Sequence, residues 1–364
     1  MCKLCDAIEI KTGEQLNKSC MMPDGSFPVI NGGIDVSGYT NQYNTEAKTI
    51  TISQGGASAG YVNWVNSKFW AGAHCYIVTP KKGYNKRFLY HFIKFKEYDF
   101  MNSKQGAGIP GLNRTVVLKT EMPKADEAKQ QQIADTLDKF TSMIENIDEE
   151  IELRQKQYEE YRNKLLSFSE DDESVEWKEL GEIGEVVRGN GLQKKDFSDN
   201  GIGCIHYGQI YTKLGFSIDK PLTYVPVELA ETLTKVEPGN LVIACTSENI
   251  EDVCKSVLWL GNETIVTGAH ASVFKHKANP KFIAYSFMTS HFFSQKKKYA
   301  YGAKVIDIKT EKLLEIVIPI PSLSRQQEIV NILDKFELVI ANLKEERELR
   351  RQQYEYYREK LLTF

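Results

Sequence analysis

The sequence predicts an α+β fold in which two globular, mixed α/β domains are separated by two long antiparallel coiled-coil helices with pseudo-two-fold symmetry. Three observations carry this expectation. Residues 130–168 recur without a gap as residues 326–364, and about 23 of the 39 paired positions are identical. Within each copy the apolar and aromatic residues step by three and four, as in a coiled coil. What remains is short apolar runs broken by Gly, Asn and Pro, the pattern of strands and turns.

In chain order, the first domain takes residues 1–123. TITISQGG (residues 49–56) and AHCYIVTP (73–80) read as strands, and residues 87–95 as a helix. The first helical segment, residues 124–170, lines up Ile133, Leu137, Phe140, Ile144, Ile147, Ile151, Tyr158, Tyr161, Leu165 and Phe168, with Arg154 breaking the seam. At 1.5 Å per residue such a helix is roughly 55 to 60 Å long. The second domain, residues 171–322, has strands in LVIACTS (241–247) and ASVFKHK (271–277) and a helix over 281–293. The second helical segment, residues 323–364, repeats the seam with Ile329, Leu333, Phe336, Ile340, Leu343, Tyr354, Tyr357, Leu361 and Phe364, but places Arg347 and Arg350 in its middle. A closed pair within one chain implies a local two-fold axis, and hence antiparallel helices.

The domains share a fainter plan than the helices. Leu4, Gly13, Leu16 and Lys18 match Leu180, Gly189, Leu192 and Lys194; VINGGI (29–34) matches IHYGQI (205–210). KQGAGI (104–109) before VVLKTEMP resembles YAYGAKV before LEIVIPIP.

A chain of 364 residues at 41% hydrophobic can bury more than one core, and it has no run of about 18 apolar residues to cross a membrane. Its opening Met-Cys-Lys-Leu-Cys-Asp lacks a signal-peptide layout, and seven scattered cysteines suit a reducing compartment, so a soluble, cytoplasmic chain is expected. Cys2-x2-Cys5 has metal-ligand spacing, with Cys20, His74 or Cys75 as further ligands. The second unit has Gly181 in place of Cys5 and no CxxC, so no metal is expected. The net charge of -3 is uneven: residues 1–129 hold 16 Lys and Arg against 11 Asp and Glu, and residues 130–174 hold 5 against 13. Positive charge therefore sits in the globular parts, in pairs such as Lys81-Lys82 and Lys194-Lys195 and in the run 296–298.

Catalytic patterns are sparse. The sequence has no GxxxxGK[ST] or HExxH and no GxGxxG opening a helix after a strand, and Asn279-Pro280-Lys281-Phe282 lacks the second proline of an adenine methyltransferase tetrapeptide. Pro23-Asp24 followed by Glu46-x-Lys48 spells a nuclease metal order, but Pro23-Asp24-Gly25 is also a plain turn.

Two domains each followed by a near-identical helix bearing LDKF and QYEYYREKLLTF, with IPIPSLSRQQEIVNILDKF (318–336) leading into the second, resemble the specificity subunit of type I restriction-modification systems. The first unit departs from that pattern, with Met122-Pro123-Lys124-Ala125-Asp126 in place of the longer proline segment and no partner for Trp177. The resemblance implies a non-catalytic subunit whose two target recognition domains each read half of a split, asymmetric site in double-stranded DNA. It implies helices that set the spacing and dock two methyltransferase subunits carrying S-adenosylmethionine, with restriction subunits using ATP and Mg2+ in the full complex. Base reading needs amide, hydroxyl, guanidinium or ring groups on loops that reach a groove. The candidates are Asn31, Gln54, Ser58, Asn63 and Gln105 in the first domain, and His206, Tyr207, Gln209, Thr246, Ser247, Asn249 and Tyr301 in the second. Lys48, Arg188, Lys194, Lys195 and Lys304 are candidates for phosphate contacts. Glu149, Glu152, Arg350, Tyr356 and Arg358, off the seam, are candidates for the methyltransferase interface. Two other readings compete: a coiled-coil adaptor that binds protein, and a nuclease with its own specificity domain.

Overall fold

The computed structural model describes residues 1–106 and 110–364, so residues 107–109 of the KQGAGI segment lie outside the described residues. The chain divides into two compact units. One comprises Met1–Glu150 with Leu343–Phe364, and the other Ile151–Asn342. Each unit thus holds one globular domain with part of each long helix, Glu127–Leu165 and Leu323–Leu362. Their 39 and 40 residues give lengths of about 58 and 60 Å at 1.5 Å per residue. Among the described residues no helix is long and apolar enough to cross a membrane.

In the first unit, a four-stranded antiparallel sheet runs in the order Ile8–Thr12, Cys75–Pro80, Thr49–Ser53, Val62–Val65. A smaller sheet orders Gly38–Thr40, Phe27–Ile30 and Trp70–Ala71, the last pair parallel. All five residues of the TITIS strand are buried, because it is interior to its sheet and covered. The cover is the helix Lys86–Phe95, whose Phe88, Leu89 and Phe92 share a core with Ile50, Ile52 and Val78. Ile133 and Leu137 of the first long helix and Leu362 of the second complete that core.

The second unit repeats the plan with added strands. Its larger sheet runs Gly184–Arg188, Ala271–His276, Leu241–Ala244, Ser256–Trp259, Ser217–Ile218. Its smaller sheet runs Thr223–Val225, Ile202–Ile205, Ile265–Thr267, Thr234–Val236. The expected helix over 281–293 is two, Pro280–Ser286 and Ser290–Tyr299, because the Thr289 hydroxyl accepts from the Phe292 amide and starts a new helix. VIPIP forms the ribbon Val317–Pro321 against Val175–Glu179. Its prolines stand two apart, on the side where N–H groups point away from the partner strand. The Val317 amide, of the same parity, donates instead to the Gln295 side chain at 3.0 Å. The first unit has only Cys2–Lys3 against Glu121–Met122 at this place.

The junction between domain and helix is built twice from the same chemistry. Asn85 caps its helix by accepting from the Arg87 and Phe88 amides, while its own amide and side chain donate to Gln130 and Gln131. Asn279 does the same for Lys281 and Phe282, and donates to Gln326 and Gln327. Gln130 and Gln326 are both 1% exposed and return a bond to the Ala125 and Pro321 carbonyls. The LDKF aspartates face the same helices: Asp138 accepts from Arg87 and pairs with His91 at 2.7 Å, and Asp334 accepts from Lys281 and Tyr285.

Pairing of the long helices is antiparallel inside each unit. In the first, Phe140 stacks on Tyr357 at 5.3 Å and Asp148 meets Arg347 at 2.9 Å. In the second, Phe336 meets Tyr161 at 5.3 Å and the Tyr158 hydroxyl donates to Glu337. Numbers rise on one helix as they fall on the other. Arg347, which reads as a break in the seam, is accommodated by Asp148. Phe364, expected in the seam, is half exposed at the chain end, and the neighbouring Leu362 takes the core position.

Candidate nucleic-acid interface

In both domains the strand that leads into the faint VINGGI/IHYGQI match runs parallel to a strand ending in a turn. Ile30 pairs with Ala71, and Ile205 with Thr267. The turns that follow have the same sequence, Gly72-Ala73-His74 and Gly268-Ala269-His270, 196 residues apart like the helices. Each is closed by a backbone bond, from Cys75 to Gly72 and from Ala271 to Gly268. Each is also held from outside. The Gly13 and Gly189 amides donate to the Cys75 and Ala271 carbonyls, and the Gln54 and Cys245 amides to the His74 and His270 carbonyls. Glycine is required at the first position for close packing: a Cβ on Gly72 would overlap the Asn31 amide, and one on Gly268 the Leu192 side chain.

Around His74 gather most of the first domain's candidates. The Asn31 side-chain oxygen Oδ1 accepts from the His74 amide at 2.9 Å, so Asn31 braces the turn. The Gln54 carbonyl accepts from Leu112, beside the bridge that joins exposed Gln105 to Gly111. Ser58 sits in the adjoining turn, its carbonyl accepting from Tyr61. Lys48 and Asn63 do not join this group. Lys48 precedes the strand that ends at Ser53, so five residues separate it from the turn, about 17 Å of strand. Lys48 and Asn63 line a separate cleft of 690 Å³ with Lys86, Arg87, Trp64 and the first long helix. The Arg87 guanidinium there lies 4.3 Å from the Trp64 ring centre.

The second domain's candidates converge on His270. Tyr207 lies 5.0 Å from its ring, and the Thr246 hydroxyl 3.3 Å from its Nδ1. Thr246 and Ser247 form a two-residue ribbon with Ile306–Asp307, Asp307 bridges Tyr301, and Arg188 reaches Asp307 at 3.9 Å. Tyr301, Lys194, Lys195 and Lys304 are exposed. Two candidates are corrected. His206 and Gln209 are 7% and 8% exposed, and their polar groups turn inward. His206 Nδ1 accepts from the Gly208 amide, while Gln209 bonds the His206 amide and Thr223. Burial, then the nearby Lys194 charge, holds the His206 imidazole below its ordinary value. These bonds shape the loop. Asn249 is exposed but braces a turn with Asp252.

Of the helix candidates, Glu149, Glu152 and Tyr356 are exposed. Arg358 lies over the Phe95 and Tyr354 rings, and Arg350 is engaged by Glu346 and Gln353, so both are tied to their own unit. Exposed apolar residues missed in the sequence recur at the repeat interval: Met143 and Val339, Leu153 and Leu349. Their signal was a hydrophobic residue off the seam at matching places in both copies. Among the described residues, no three His, Cys, Asp or Glu side chains come together as a metal site needs.

Residues 1–153 and 173–350 match the family model of the type I restriction modification DNA specificity domain. The chain belongs to this specificity family. Among its relatives, the type I restriction enzyme EcoR124I/EcoR124II specificity subunit of Escherichia coli is 29% identical over 93% of this chain and 87% of the relative. A putative type I specificity subunit of Haemophilus influenzae is 27% identical over 95% and 90%. The fold is that of the type I system S subunit from M. genitalium, with a TM-score of 0.65 at 18% identity over 100% of this chain and 96% of that one. A chain from a study of complex assembly and conformational transition in the type I system superposes with a TM-score of 0.59 at 14% identity, over 99% and 96%. The two matched stretches of the family model each take in one domain, so each Gly-Ala-His turn belongs to its own specificity domain.

Proposed function

We infer that this specificity subunit reads a bipartite, asymmetric site in double-stranded DNA, one half through each domain. The observation that carries this reading is a single cluster of polar and aromatic loop residues per domain, at equivalent places but with different side chains. Asn31, Gln54, Ser58 and Gln105 gather in the first domain; Tyr207, Thr246, Ser247 and Tyr301 gather in the second. Different readers on like supports favour two different half-sites. Arg188, Lys194, Lys195 and Lys304 beside the second cluster would contact phosphates and fix register.

The paired helices set the spacer. Major-groove faces on one side of B-DNA recur about every 34 Å, within the span of helices about 58 to 60 Å long. Methyltransferase subunits dock on the helices through exposed side chains off the seam, Glu149, Leu349 and Tyr356 in the first unit and Glu152 and Leu153 in the second. On this reading the chain selects the site and the partners do the chemistry: S-adenosylmethionine serves the methyltransferase subunits, ATP and Mg2+ the restriction subunits. The test is to express the chain with its methyltransferase subunit and map N6-methyladenine across the host genome. A split asymmetric motif that disappears without this chain is the expected result. A stable complex with no methylation and no affinity for DNA would favour a protein-binding adaptor.

A further inference from the structure

We propose that His74 and His270 are a matched pair of DNA-backbone contacts, one per half-site, which hold each domain in register while their neighbours read bases. The inference rests on the DNA-reading function above. Its first support is that the fold does not need the imidazoles. Each turn is closed and pinned through main-chain groups of residues 72–75 and 268–271, bonds that any residue at the histidine position would leave intact. The His74 side chain has no hydrogen-bond partner among the described residues, and His270 uses only Nδ1, on Thr246, leaving Nε2 for a ligand. Both rings are exposed, although the glycine two residues before each is buried.

The second support is backbone geometry. His270 has φ +65°, in the left-handed region that a residue with a side chain adopts at a cost, and glycine would sit there without strain. A strained position that nonetheless carries a large exposed ring points to a use for that ring.

The third support separates backbone contact from base reading. The same residue stands at the tip of both turns, whereas the groups around it differ: Asn31 and Gln54 beside His74, Tyr207 and Thr246 beside His270. Two domains that read different bases can share a contact only with what both half-sites have in common. That is the sugar-phosphate backbone, whose oxygens accept from an imidazole N–H.

The experiment uses the full chain in complex with its methyltransferase subunit. Affinity for a fluorescein-labelled, random-sequence duplex of about 40 base pairs is followed by anisotropy, long enough to exceed a span of about 34 Å between groove faces. His74→Ala and His270→Gly should each weaken binding about three- to tenfold, the loss of one net hydrogen bond, and together by about the product. The methylated motif should keep all its bases. His270→Gly relieves the strained backbone, so weaker binding by a variant that melts no lower than the parent cannot be assigned to misfolding. A changed base in one half-site would make that histidine a reader and overturn the proposal. So would unchanged affinity in both variants. If the parent complex itself binds no DNA, the DNA-reading function fails first, and that result is seen before any variant is made.

Discussion

Lengthening the helical pair by one heptad in both helices is the sharpest test of how spacing is set. In the first unit Phe140 faces Tyr357 and Asp148 faces Arg347, so a cut after Ile147 lies level with one after Glu348. Seven residues inserted after each, with the seam spacing repeated, keep both contacts intact. Insertion in one helix alone would slide Phe140 away from Tyr357. Seven residues add about 10.5 Å of rise and leave the seam facing within about 20° of its former direction. At 3.4 Å per base pair this is about three base pairs. Mapping of N6-methyladenine with the methyltransferase subunit present should return both half-sites unchanged with a spacer longer by about that amount. An unchanged spacer, or an altered base in either half-site, would refute the ruler argument.

Three further outcomes follow from the geometry. Burial would raise the Asp138 carboxyl, but bonds from His91 and Arg87 outweigh it and hold it at about 2, while burial holds the His91 imidazole below its ordinary value. Unfolded histidine binds a proton near pH 6.5 and unfolded aspartate near 4, each before its folded counterpart. Melting temperature should therefore be level above about pH 7, fall from about pH 6.5, and fall further below about pH 4; His91→Phe, measured by calorimetry, should shrink the first step without removing it, since burial holds His206 and His276 low as well, and a step of unchanged size would show that His91 does not contribute. Gln130→Ala and Gln326→Ala should each cost about 1 to 3 kcal/mol by denaturant unfolding, since each removes a buried side-chain amide and strands a part-buried or buried amide and carbonyl; a loss in one half only would deny that the junctions are equivalent. Leu153→Glu with Leu349→Glu should leave melting unchanged, both side chains being more than half exposed, yet abolish co-purification with the methyltransferase subunit; retained co-purification would move the docking surface elsewhere.

The helices were legible because their information is local. Apolar residues at three and four spacing mark a seam without knowledge of any partner, and the repeat doubles the signal. Contacts that close the fold were not, because their halves lie far apart in sequence. Gln130 and Gln326 read as ordinary helix-start residues until Asn85 and Asn279 are placed beside them, and Arg347 reads as a flaw until Asp148 faces it. The site was partly legible. Loop composition singled out segments of the second domain that the fold brings together around His270, but alternation alone does not show that His206 and Gln209 turn inward. Lys48 looked like its neighbours in the sequence and lies at the far end of its strand.

The repeated chemistry and the diverged chemistry occupy different places, and physical demands explain the division. A domain that reads bases must be held on its helix within a fraction of an ångström, or its loops address the wrong base pair. The junction meets that demand with buried amides and carbonyls whose partners cannot be exchanged singly without leaving a polar group unsatisfied. Asn85 with Gln130 and Asn279 with Gln326 therefore remain the same pair in both halves. Their neighbours tolerate change where an alternative still satisfies the carboxylate: Asp138 takes Arg87 and His91, while Asp334 takes Lys281 and Tyr285. At the loop tips no such constraint acts, because exposed side chains exchange water for a new ligand and a substitution leaves nothing buried and unpaired. If Gln105 and Tyr301 read bases as proposed, target specificity can then change there without loosening the mount that aims it.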